Sequence, residues 1–145
     1  MEIKSDSEIL AEIYRNAQLA LTSISDIMPE IEDIGMREEI MREHEEYERI
    51  CGEAAQLAKK YGLELKEPSP VKKAMMNMGI KMKTATDNSA QHIAEMMIKG
   101  TVNGITCLKT SLSDSEKIMD SEVKKLLNDL ITIEESFEQK LKQFL

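Results

Sequence analysis

Apolar residues recur at three- and four-residue steps through most of the chain, which is the spacing of one face of an α-helix. Ile9, Ile13, Ala17, Ala20, Ile24 and Ile27 predict a first helix from about Ser5–Asp6 to about Met28. Ser5 followed by Glu8 resembles a capping box, and Pro29 restricts the residue before it. Asp33-Ile34-Gly35 carries turn chemistry, so the first turn is expected between about 29 and 35. Met36, Ile40, Glu43, Tyr47, Cys51, Ala54, Ala58 and Tyr61 form the stripe of a second helix, with Gly62 as its C-terminal stop.

Leu63 to Pro70 holds two of the three prolines and reads as a linker. Val71 to Met82 then predicts a short amphipathic helix with Met75, Met78 and Met82 on one face. That face is expected to pack across the bundle or against a second chain. Thr84, Thr86, Asp87 and Asn88 interrupt the pattern. A longer helix follows to about Thr110–Ser113, through Ile93, Met96, Met97, Gly100, Gly104 and Cys107. Gly100 and Gly104 share a face and suggest close approach of a neighbouring helix. The last helix carries Val123, Leu126, Leu130, Ile133, Phe137, Leu141 and Phe144. Its start is open between a Ser113/Glu116 capping box and a later cap at Asp120–Ser121.

Composition narrows the class. The 145 residues suit a single domain, 1–145, large enough to bury a core without disulfides or metals. Three Pro and six Gly leave little room for the turns of an all-β fold, so the expectation is all-α. A net charge of −8 speaks against nucleic acid and against an anionic membrane as partners. No run approaches the roughly 20 apolar residues of a membrane span, and the polar start is unlike a signal peptide. A cytoplasmic protein is the default reading, with Cys51 and Cys107 as unpaired, buried, small apolar residues.

Four amphipathic helices with a long link between the second and third resemble the ferritin-like superfamily, in a small bacterial branch. The segment His92-Ile93-Ala94-Glu95-Met96-Met97 is similar to a recurrent feature of such a branch. The resemblance implies a four-helix bundle in which the link, with its short helix, crosses the length of the molecule. It also implies a di-metal site of one Glu from each of two helices and a Glu-x-x-His from each of the other two. This chain departs from that set. Met41 stands three residues before His44, Ser89 three before His92, and the last helix has no His.

What remains is a partial set. Glu43 interrupts an apolar stripe, and Ser89, His92 and Asn103 fall on the inward side of the third helix. Matching the helix starts at Met36 and Thr84 places Glu43 beside about Gln91, near His92, with Glu95 one turn along. Glu43, His92 and Glu95 are therefore the candidate ligands for iron, manganese or zinc, and Glu134 could join Glu43 as a carboxylate pair. Thioether ligation of copper by Met75, Met78 and Met82 is outweighed by the ordinary use of Met in adaptable packing. No nucleophile–base pair or phosphate loop is evident. The leading expectation is a non-enzymatic bundle that acts by association, as a homo-oligomer (a dimer in the simplest case) or with a protein partner. The alternative is a metal-binding ferritin-like protein with a reduced carboxylate/His site.

Overall fold

The computed structural model describes residues 1–145, with Thr86 described through its backbone alone. Five α-helices account for the described fold, and no strand occurs among the described residues: α1 (Asp6–Ile27), α2 (Ile34–Lys60), α3 (Pro70–Thr86), α4 (Ala90–Ser115) and α5 (Ser121–Leu141). Short 3-10 turns follow α1 at Met28–Glu30 and α5 at Lys142–Phe144.

Each helix starts on a Ser or Asp whose side chain accepts a backbone N–H of the first turn. Ser5 accepts from Glu8 at 3.2 Å, Asp33 from Met36 at 2.8 Å, Ser69 from Lys72 at 3.2 Å, Ser89 from His92 at 3.2 Å and Asp120 from Glu122 at 2.9 Å. Such a cap contributes about 1 kcal/mol. The caps also correct the expected boundaries. Asp33 starts α2 at Ile34, so Gly35 lies inside the helix. Asp120, not Ser113, starts α5, because α4 runs to Ser115. The short third helix is longer than its apolar pattern suggested. The Thr84 hydroxyl donates back to the carbonyls of Ile80 and Lys81, at 3.0 and 3.3 Å, which keeps a polar residue compatible with helix. At the end of α2, Gly62 takes φ +68°, and the N–H groups of Gly62 and Leu63 donate to Lys59 and Ala58. That geometry favours glycine and turns the chain away.

α1 packs against α2, α4 against α5, and α2 against α5, while α1 and α4 meet sparsely. Ion pairs give the directions. Glu39 meets Lys140, Arg49 meets Asp129 and Lys60 meets Glu122, so α2 and α5 are antiparallel. Lys109 meets Glu135 and Lys124 meets Glu116, so α4 and α5 are antiparallel too. α2 and α4 therefore run in the same direction. The core joins Ile9, Leu10, Ile13, Met36, Ile40, Ile50, Ile93, Leu108, Leu127 and Leu130, each at most 1% exposed.

α3 lies on α1. Its inner face is not the expected one. Met76, Ile80 and Thr84 face the body of the protein, and the Ser23 hydroxyl reaches the Met76 sulfur at 3.3 Å. Met75, Met78 and Met82 are instead 70%, 63% and 68% exposed, so this face does not pack across the chain. The helix carries two apolar stripes on opposite sides, and apolar spacing alone does not say which is buried. Cys51 is buried as expected; Cys107 is exposed, and both are free thiols. No described helix is long and apolar enough to cross a membrane.

Candidate ligand site between the first and fourth helices

Glu43 and Tyr47 are one turn apart on α2, and Glu134 and Phe137 are one turn apart on α5. Antiparallel packing of these helices brings the four side chains together. The Tyr47 and Phe137 rings meet edge to face with centroids 6.5 Å apart. The Tyr47 hydroxyl interacts with the Glu134 carboxyl group. Glu43 is 3% exposed and Glu134 2%. Even so, Glu43 Oε1 and Glu134 Oε2 have no hydrogen-bond partner.

Burial governs the charge of this pair. It pushes Glu134 up to about 8; the bond from Tyr47 opposes the rise and the nearby Glu43 adds to it. Burial likewise raises Glu43 to about 7, against the pull of Lys140 and with a push from Glu46 and Glu39. Removing a carboxylate from water disfavours the ionised form, and a second carboxylate nearby does so again. At neutral pH Glu134 is held largely as the neutral acid, while Glu43 is divided between its acid and ionised forms. Tyr47 is raised for the same reasons, burial first and then Glu134 and Glu43.

The far wall is α4. A Cβ on Gly104 would stand 2.9 Å from Glu134 Oε2 and 3.0 Å from Asn16 Nδ2, so a side chain here would displace one of them. The glycine pair thus differs from its expected role: Gly104 accommodates two polar side chains rather than a neighbouring backbone, and a Cβ on Gly100 would meet open space. Both glycines line a cavity of about 350 Å³ between α1 and α4, with Met76 of α3 on its wall. Leu19, Ala20, Ile24, Met97 and Phe137 make it apolar, while Asn16, Tyr47, Gly104 and Glu134 stand together at its inner end. Cys107 and Asn103 lie on its wall. Farther along the same seam, Ser111 donates to Glu12 at 2.8 Å, and Lys4 Nζ donates to Glu12 at 2.9 Å and to Ser111 at 3.0 Å. These bonds hold α1 to α4 beside the cavity.

The expected ligand residues are distributed differently. Glu43 is in the site, and Glu134 is its carboxylate partner. His92 is in the first turn of α4, where Ser89, Ala90 and Ile93 share a cleft with Ile31, Asp33 and Met36. Met36 is thus level with the start of α4, and Glu43 lies seven residues, or roughly 10 Å, farther along α2. The expected register placed Glu43 beside about Gln91. The displacement arises because α3 continues through Thr86 and α4 begins only at Ala90. His92 Nε2 is buried without a partner, and Glu95 is exposed. Ser89 is an exposed cap, and Asn103 is an exposed residue of the cavity wall. Among the described residues, no three or more His, Cys, Asp or Glu are grouped so as to hold a metal ion.

Sequence reasoning missed Asn16 and the chemical use of Gly104. Asn16 follows the flank of the α1 stripe, and its role depends on α4, which local spacing does not reveal. Tyr47 is legible as a stripe residue but not as a neighbour of Glu134. No family model matches this chain, and neither does any curated protein or solved structure.

Proposed function

We propose that this chain is a small-molecule-binding helical bundle. The observation that carries the reading is Glu134: a carboxyl group 2% exposed, with an unpartnered Oε2, at the inner end of an apolar cavity of about 350 Å³. A buried acceptor without a partner is costly, and a bound ligand is one way to satisfy it. The size is at the lower end of small-ligand sites, and apolar walls with a few convergent polar groups are their usual chemistry. In the same reading the fold is a four-helix bundle of the ferritin-like kind. Support comes from the shared direction of α2 and α4, which obliges residues 61–89 to travel the length of the molecule with α3 inside that crossover.

The test is a panel of small amphiphiles screened by thermal shift and then by calorimetry, on the parent and on Gly100→Leu. Gly100 lines the cavity, and a side chain added there meets no atom within 4 Å of its Cβ, Glu134 included. Saturable binding of one ligand per parent chain, absent from the folded Gly100→Leu protein, is expected. Binding unchanged in Gly100→Leu would place the ligand elsewhere. Metal analysis of the unchelated protein runs beside it: stoichiometric iron, manganese or zinc lost in Glu43→Gln would favour the metal-binding alternative.

A second reading, association through α3, is favoured by one specific feature. Val71, Met75, Met78 and Met82 form an exposed apolar stripe, with Lys72 and Lys81 on its two sides. Light scattering of the parent and Met78→Asp decides it. A dimer that becomes a monomer on substitution supports the reading; a monomeric parent argues against self-association.

A further inference from the structure

We infer that the cavity ligand is a primary amine with a hydrocarbon body, whose ammonium group binds Glu134; this rests on the binding reading above. Three features of the site select that class. The first is charge. Glu134 on α5 faces Glu43 and Tyr47 on α2, while α1 and α4 contribute the neutral Asn16 and Gly104 at this point. Lys140 acts on Glu43, and its ion pair is with Glu39. An anion entering here would meet two carboxyl groups, in a chain of net charge −8. Glu134, once ionised, attracts a cation, and no cation on α1 or α4 at this point competes for it.

The second feature is size. Glu134 Oε2 is closed off from solvent, and Asn16 Nδ2 converges with it on Gly104. A compact –NH3+ group can reach the carboxylate once the Asn16 amide turns, and it has three N–H donors to offer to Glu134 Oε2 and the Asn16 carbonyl. A trimethylammonium group has no N–H to donate. The third is the wall. Leu19, Ile24, Met76 and Met97 can take an alkyl chain, and the rings of Tyr47 and Phe137 stand at the end where the cation sits.

Amine binding requires Glu134 to ionise, so the carboxyl proton leaves to solvent as the ammonium arrives. Glu134 is raised to about 8 and its neighbour Glu43 to about 7. Affinity is therefore expected to strengthen with rising pH, approaching about tenfold per pH unit below the Glu134 transition, until the amine itself deprotonates.

The experiment is calorimetry with hexylamine, hexanol, hexanoate and hexyltrimethylammonium on the parent, Glu134→Gln and Gly100→Leu, each checked for helicity. Hexylamine should bind the parent with proton release and at least tenfold more tightly than hexanol. Hexanoate and the trimethylammonium compound should not bind. Glu134→Gln should remove the preference for amine over alcohol, and Gly100→Leu should remove both. Hexanol binding as well as hexylamine, or hexylamine binding unaltered in Glu134→Gln, would overturn the amine assignment while leaving the cavity reading in place. A folded parent that binds none of the four would overturn both.

Discussion

The Glu134 carboxylate lies against the bare Cα of Gly104, with its Oε2 2.9 Å from where a Cβ would stand. Four residues earlier on the same helix, Gly100 has nothing within 4 Å of that position. The two glycines should therefore respond oppositely to alanine. Gly100→Ala should stabilise by up to about 1 kcal/mol, because alanine favours helix. Gly104→Ala gains the same propensity but pushes on two buried side chains, and should destabilise on balance by roughly 1 kcal/mol. Urea denaturation of both variants checks this; equal effects would mean that the Glu134–Gly104 approach is not present in solution.

The carboxyl pair gives the protein an unusual pH dependence. Glu43 and Glu134 are raised from 4.5 to about 7 and about 8, so between these values the folded state binds more protons than the unfolded one. Their contribution to stability is full below the unfolded carboxyl value and is lost as pH rises through 7 and 8. Melting temperature should fall between mildly acidic and mildly alkaline pH. The fall should flatten in a Glu43→Gln, Glu134→Gln double variant. A parent that gains stability over this range would contradict the burial of the pair.

α3 should tolerate change on one face only. Met78→Asp adds a charge to an exposed side chain and, in a monomeric chain, should alter stability by no more than about 0.5 kcal/mol. Met76→Asp places a charge against α1 on the wall of the cavity and should lower the melting temperature clearly. Comparable losses in both would show that the exposed stripe is covered by another chain.

The thiols should separate by rate. Cys107 is exposed on the cavity wall, whereas Cys51 is buried, and burial pushes its thiol up to about 11. One equivalent of alkylation is expected in the native protein and two after unfolding. A hydrophobic amine in the cavity should slow labelling of Cys107, read by mass spectrometry.

How much of this was legible in the sequence depended on whether a residue's meaning is local. The stripes of α1 and α5 were clear because each helix has one apolar face. Glu43 was visible because a carboxylate interrupts Met36, Ile40 and Tyr47. α3 misled because its Met75 and Met76 begin stripes on opposite sides. The pairing of Glu43 with His92 rested on where α4 begins, and the Ser89 cap moved that start by about a turn and a half. Asn16, Gly104 and Tyr47 acquire their roles only through the helices facing them.

The most direct measurement is the titration of the Glu134 carboxyl carbon by NMR, in the presence and absence of hexylamine. Without amine, Glu134 should titrate near 8, far above an ordinary glutamate. With amine it should ionise at lower pH, and the shift should vanish in Gly100→Leu. A Glu134 that titrates in the ordinary carboxylate range and ignores the amine would contradict both the buried acid and the ligand assigned to it.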